Sequence, residues 1–177
     1  MPKISDLTEN TMSEQFAVII MGSDSDLPLV NNTLDVLKGF DIKYEVRVAS
    51  AHRTPDVVSN YVQDAEKRGA SVFICAAGLA AHLAGAVAAR TTRPVIGIPV
   101  DGGPLNGVDA LYSTVMMPGG IPVATVAVGK AGAKNAGYLA AQIMALVDKD
   151  LDARVKANRQ AAAEEVMAKD AALQAKL

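Results

Sequence analysis

The chain has 177 residues, half of them hydrophobic yet only 4% aromatic. That length suits one domain whose core is built from Ala, Val, Ile and Leu, as where helices pack closely on a parallel sheet. A formal net charge of −2 without a basic patch argues against DNA or RNA as a partner, and no apolar stretch reaches membrane-spanning length without Gly, Pro or charge.

In chain order, residues 1–15 are polar, lack the apolar run of a signal peptide and read as a flexible tail. Apolar runs predict strands at Phe16–Met21, Tyr44–Ala49, Ser71–Ala76, Pro94–Val100 and Pro122–Val128. Helical stretches over about 26–39, 55–68, 80–90, 107–116 and 131–147 alternate with them. Strands spaced by helices of this length predict βαβ units. The expected fold class is therefore α/β: a flavodoxin-like three-layer sandwich over residues 16–150, with parallel strands in the order 2-1-3-4-5. No internal repeat is visible. Asn135-Ala136-Gly137, inside the last of these helices, suits close helix packing.

Residues 148–177 differ in character, with six acidic residues, six basic residues and no Gly or Pro. Leu151, Val155, Ala162, Val166, Leu173 and Leu177 form a narrow apolar stripe that repeats every 11 residues. The expectation is a helical arm over 151–177, about 45 Å long with its lead-in residues at roughly 1.5 Å per residue. That is longer than a small domain is wide, so the stripe is expected to pack on a neighbouring subunit. The alternative is a solvated tail.

Ligands of open α/β sheets bind beyond the carboxyl ends of the strands. The first such loop, Gly22-Ser23-Asp24-Ser25-Asp26, is neither a G-x-G-x-x-G loop nor a P-loop. Ser23 and Ser25 offer hydroxyls near a helix N-terminus, and Asp26 suits ribose hydroxyls. The same residues could do no more than cap the helix. In the second loop, Ser50-Ala51-His52-Arg53-Thr54-Pro55, Thr54 reads as N-cap and Pro55 as the first helical residue. That leaves Ser50, His52 and Arg53 in the turn. Arg53 supplies a forked donor for phosphate, and His52 can exchange protons near neutral pH. The third loop, Ala76 to Gly85, is made of small residues around Gly78, with His82 near a helix start, where a neutral imidazole is favoured. His82 reads equally well as a ligand contact or as a structural residue under the loop.

In the 2-1-3 order these loops are neighbours, gathering Asp26, His52, Arg53 and His82 around a small-residue hollow. Met117-Pro118-Gly119-Gly120-Ile121-Pro122 either completes that hollow or simply connects into the fifth strand. Two His and one Cys at these spacings match no metal-ligand pattern. Cys75 falls within a predicted buried strand, a poor place for a nucleophile, and as the only cysteine it fits a reducing cytosol rather than a disulfide. No G-x-S-x-G elbow is present. Proton transfer with tight substrate positioning is the simplest chemistry left.

Ser23-Asp24-Ser25-Asp26, Ser50-Ala51-His52-Arg53-Thr54-Pro55, Ala80-Ala81-His82-Leu83 and Met117-Pro118-Gly119-Gly120-Ile121-Pro122 together resemble the 5-(carboxyamino)imidazole ribonucleotide mutases of purine biosynthesis, from about Phe16 to Asp150. The resemblance implies a cytoplasmic homo-octamer and a reaction with no cofactor or metal, in which a carboxylate moves from the exocyclic nitrogen to C4 of the imidazole. It implies that His52 protonates the departing nitrogen and takes the C4 proton. Ser23, Asp26 and Arg53 then bind the ribose 5-phosphate portion, while Ser50, Gly78 and His82 line the pocket for the ring and carbon dioxide. The long C-terminal helix resembles an arm that reaches another subunit.

Related carboxylases, which act on the unmodified aminoimidazole ribonucleotide with free carbon dioxide, are the alternative activity. Arg53 and Ala80-Ala81-His82 favour the mutase. Leu79 and Ala84 depart from the mutase pattern, which usually has Gly and often has Pro there. A nucleotide-binding or receiver module without catalysis is the non-enzymatic alternative; a receiver needs an acidic phosphoacceptor at a strand end, where this chain brings His and Arg.

Overall fold

The computed structural model describes residues 15–177, so the expected N-terminal tail lies, apart from Gln15, outside the described residues. Five parallel strands form one sheet: β1 (Phe16–Met21), β2 (Tyr44–Val48), β3 (Ala70–Ala77), β4 (Val95–Pro99) and β5 (Ala124–Thr125). Their order is 2-1-3-4-5, with β1 between β2 and β3. Ile19 stands opposite Val46 on one side and Ile74 on the other. The helices are α1 (Leu27–Gly39), α2 (Pro55–Arg68), α3 (Leu83–Ala88), α4 (Val108–Val115), α5 (Lys130–Ala145) and α6 (Lys149–Gln174).

β1 and β3 are covered on both faces, which is why they read as unbroken apolar runs rather than alternating ones. Ala17, Ile19 and Met21 join a core layer with residues of α1 and α5, including Val30, Leu37, Ala136 and Ala140. Val18 and Ile20 join the opposite layer with Val58 and Val62 of α2 and Leu83 and Val87 of α3. Cores of such small side chains need close approach. Gly137 supplies it: a Cβ there would stand 2.8 Å from Cβ of Val36 on α1. Beside it the buried Thr33 hydroxyl donates to the Ala133 carbonyl at 2.7 Å, so neither polar group is stranded in the α1–α5 seam.

Two elements are shorter than their sequence suggests. The strand expected over Pro122–Val128 has ladder geometry only at Ala124–Thr125. Pro122 has no N–H to donate, and this edge segment is only partly buried. The helix expected over 80–90 is confined to Leu83–Ala88, because Gly78 to His82 are spent in the loop, where the His82 amide closes a turn on the Ala80 carbonyl at 2.9 Å. Conversely, α6 starts before residue 151: the Asp148 carboxylate caps it by accepting the Leu151 amide at 2.9 Å. Leu151 is buried and Val155 packs on the core, whereas Val166, Met167, Leu173 and Leu177 are exposed on this single chain. At roughly 1.5 Å per residue α6 extends for about 39 Å.

Candidate active site

The loops after β1, β2, β3 and β4 enclose a cleft of about 470 Å³ at the carboxyl edge of the sheet. All seven residues singled out in the sequence, Ser23, Asp26, Ser50, His52, Arg53, Gly78 and His82, line it.

After β1, the Gly22 amide is pinned to the Ala76 carbonyl at 3.2 Å, which sets the loop against β3. Ser23 caps a short 3-10 turn, Asp24–Asp26: its hydroxyl oxygen accepts the Ser25 amide at 3.3 Å and the Ser25 hydroxyl at 2.8 Å. The capping role weighed for this loop is therefore real for Ser23. Asp26 differs, because its side chain makes no cap hydrogen bond to α1. Burial raises its pKa above the ordinary carboxylate value; a hydrogen bond with the Ser23 backbone partly offsets this, and the charge of Asp24 adds to it. The fold thus holds a carboxylate in a place that disfavours its charge, as an acceptor site for hydroxyl donors does.

After β2, helix α2 begins at Pro55 with Thr54 at the N-cap position, but the Thr54 hydroxyl does not cap the helix. It turns back instead, accepting the Ser50 amide at 2.9 Å and donating to the Ser50 carbonyl at 3.1 Å. The Thr54 amide donates to that same carbonyl at 2.9 Å, and the Arg53 amide donates to the Ser50 hydroxyl at 3.2 Å. Ser50 and Thr54 so lock the turn, and His52 and Arg53 at its crest are exposed. One guanidinium nitrogen of Arg53, Nη2, reaches the Gly22 carbonyl at 3.4 Å. That contact aims the fork along the first loop and leaves most of its five donors for an anion.

The third loop brings the two histidines together. His52 Nε2 and His82 Nδ1 are 2.7 Å apart, with ring centroids 4.8 Å apart and planes inclined by 73°. A hydrogen bond between two imidazoles needs an N–H on one ring and a lone pair on the other, so while it lasts the rings cannot both be imidazolium. His82 occupies the N-cap position of α3 without capping it. It acts as a partner of His52, not as a structural residue tucked under the loop. Gly78 presents backbone to the cleft, and the nearest atom a Cβ there would meet is Cβ of Val100, at 3.5 Å.

Leu79, noted in the sequence as a departure from the mutase pattern, also lines the cleft. One part of the wall was not singled out in the sequence: Val100 with Gly102 and Gly103, after β4. Applying the strand-end rule to β4 as well would have found it. Met117–Pro122 does not line this cleft: Gly120, Ile121 and Pro122 border a separate hollow with Arg90, Arg93 and Glu66. In the single chain that segment acts as the connection into β5. Cys75 is fully buried in β3, and burial pushes its thiol well above the ordinary range, so it is not a nucleophile. Among the described residues, no three or more His, Cys, Asp or Glu side chains are grouped to hold a metal ion. No described helix is long and apolar enough to cross a membrane.

Residues 17–165 match the family model described as AIR carboxylase. The chain is 52% identical over 142 residues to the N5-carboxyaminoimidazole ribonucleotide mutase of Bacillus subtilis, covering 80% of this chain and 88% of that one. It is 50% identical over 151 residues to the enzyme of the same name from Thermotoga maritima, covering 85% and 87%. The crystal structure of Treponema denticola PurE superposes with a TM-score of 0.82 at 32% identity, over 90% of this chain and 98% of that one.

Proposed function

The chain belongs to the AIR carboxylase family, and from that premise we propose that it is an N5-carboxyaminoimidazole ribonucleotide mutase. In this reading the carboxylate on the exocyclic nitrogen moves to C4 of the imidazole, a step of purine biosynthesis. The C–N bond of the carbamate breaks and carbon dioxide departs. The nitrogen keeps the electron pair and takes a proton from His52. C4 then attacks the carbon dioxide held in the cleft, and its proton returns to His52. Atoms and charge balance with no cofactor or metal.

The observation that carries this reading is the His52–His82 contact of 2.7 Å at the mouth of a cleft that also holds Arg53 and Asp26. An acid/base that must give a proton and then take one benefits from a neighbour that can accept or donate in turn. Arg53, with Ser23, meets the 5-phosphate; Asp26 meets the ribose hydroxyls; Ser50, Gly78 and His82 border the ring. Relatives near 50% identity named as mutases favour this activity over carboxylation of the unmodified nucleotide by free carbon dioxide.

A homo-octamer in the cytoplasm completes the reading. Its support is the apolar stripe of α6, exposed at Val166, Leu173 and Leu177, which a neighbouring copy would cover. The decisive experiment gives purified protein each nucleotide in turn, with EDTA and without ATP, and sizes the same preparation by light scattering. Conversion of the carboxyamino nucleotide to the C4-carboxylate by an octamer is expected. Turnover of the unmodified nucleotide with bicarbonate alone makes it a carboxylase. Binding without turnover makes it a binding module.

A further inference from the structure

A threonine at a helix N-cap position ordinarily stabilises the helix by accepting the amide of the second or third helical residue. Ser23 and Asp148 cap their helical turns in this way, but Thr54 makes no cap bond to α2. Its hydroxyl has one hydrogen to donate and lone pairs with which to accept. Both functions go to Ser50: the hydroxyl accepts the Ser50 amide at 2.9 Å and donates to the Ser50 carbonyl at 3.1 Å.

The turn is closed by these bonds as by a clasp. The Thr54 amide takes the remaining lone pair of the Ser50 carbonyl at 2.9 Å, and the Arg53 amide donates to the Ser50 hydroxyl at 3.2 Å. Beneath the turn, Ala49 is buried and Ala51 packs on the core layer that holds α2. The His52 amide and carbonyl take part in none of the bonds of the clasp. The His52 backbone is fixed by the residues on either side, and its imidazole has one partner, His82, at 2.7 Å. Arg53 is held twice more, by the Ser50 hydroxyl at its amide and by the Gly22 carbonyl 3.4 Å from its guanidinium. Of the two residues at the crest, His52 therefore depends more on Thr54.

On the mutase reading, which this deepens, we infer that Thr54 is a positioning residue for His52. Its hydroxyl clasps both main-chain groups of Ser50 and so presents the His52 imidazole at hydrogen-bond distance from His82. No step of the chemistry touches Thr54 itself. A proton that passes from His52 to the substrate nitrogen, and back from C4, tolerates little displacement: about 1 Å can cost on the order of a hundredfold in rate. The side-chain cap is given up at α2, where Pro55 and Asp56 in the first turn already favour the helix start. Geometry is gained at the crest.

The test compares wild type with Thr54→Val, which keeps the branched shape without the hydroxyl, and Thr54→Ser, which keeps the hydroxyl. In Thr54→Val kcat is expected to fall about tenfold to a hundredfold. Affinity for the C4-carboxylate nucleotide, measured by calorimetry, is expected to change by no more than about threefold, because Arg53 keeps its own two contacts. Thr54→Ser is expected to recover most of the lost turnover, and in a His52→Asn background Thr54→Val should add little. The chain has two histidines, so nitrogen-15 NMR of histidine-labelled protein reads their contact without turnover. In Thr54→Val the signals of His52 Nε2 and His82 Nδ1 should move toward those of free imidazole. Wild-type kcat and wild-type imidazole signals in folded Thr54→Val overturn the inference, and so does a loss that Thr54→Ser shares in full. If Thr54→Val does not fold, Thr54→Ala carries the same expectations. If wild type never converts the carboxyamino nucleotide, the mutase reading fails, and the imidazole signals still decide whether Thr54 holds His52.

Discussion

The two ends of the β2–α2 unit carry similar charged side chains arranged to opposite effect. At the far end from the cleft, Glu45 of β2 accepts hydrogen bonds from the Arg68 guanidinium, one of them at 2.9 Å, and from the Tyr61 hydroxyl at 2.7 Å. Arg68 Nε also reaches Asp64 at 2.7 Å. The Arg68 hydrogen bonds hold the Glu45 carboxyl down at about 2, while burial and the Glu45 carboxylate push the Tyr61 phenol up to about 12. Each group there is settled in its ordinary charge state by a partner. At the cleft end, Arg53 of this unit leans on one carbonyl at 3.4 Å and His52 shares one short contact with His82 of the loop after β3; beside them Asp26, from the loop after β1, is a carboxylate whose burial works against its charge. Satisfied charges hold the unit together, and dissatisfied ones are left for a ligand.

Substitutions can break this contrast. The largest effect is expected from His52→Asn. Turnover should fall by roughly two to four orders of magnitude, as when a general acid/base is lost, while the melting temperature stays close to that of wild type because His52 is exposed. Unchanged turnover in the folded variant removes His52 from the chemistry.

Next comes Asp26→Asn, where stability and binding should move in opposite directions. The folded Asp26 pKa lies above its ordinary 3.8, so the native state holds this proton more tightly than the unfolded chain does, and stability falls as pH rises past 3.8. Removing the charge should therefore raise the melting temperature at pH 7. Nucleotide affinity by calorimetry should drop by roughly tenfold to a hundredfold, the worth of hydrogen bonds to a charged group. A variant that melts lower and binds normally would make Asp26 a structural residue.

The smallest effect is expected at Glu45→Gln. The Glu45 pKa is depressed from 4.5 to about 2, so its contribution is complete above pH 4.5 and is lost as pH falls toward 2. Its partly exposed pair with Arg68 limits the loss at neutral pH to less than about 1 kcal/mol. Acid titration of the variant by circular dichroism should show a shallower fall across that window, with kcat unchanged. A change in kcat would mean that the two ends of the unit are coupled.

Legibility in the sequence follows the same division. The central strands could be read directly, because burial on both faces demands unbroken apolar runs such as Phe16–Met21. The start of α2 was marked by Pro55. β5 misled, because the apolar residues 122–128 serve an edge that pairs over only two of them. Thr54 was placed correctly, but its hydroxyl bonds Ser50 in preference to the helix, a choice between two local acceptors that residue type does not resolve.

What the sequence by itself determined is the inventory and its layer: which residues follow which strand, and, through the strand order, that the His52 and His82 loops face one side of the sheet. Periodicity and turn chemistry are short-range properties, so a single chain of letters carries them. What only the tertiary structure decided is contact. The meeting of His52 Nε2 with His82 Nδ1 across 30 positions, the burial that works against the charge of Asp26 and the seating of Leu79 in the notch of Gly103 all depend on distances of an ångström or so between separate loops. Those distances are set by how the strands register and how closely the helices pack behind them.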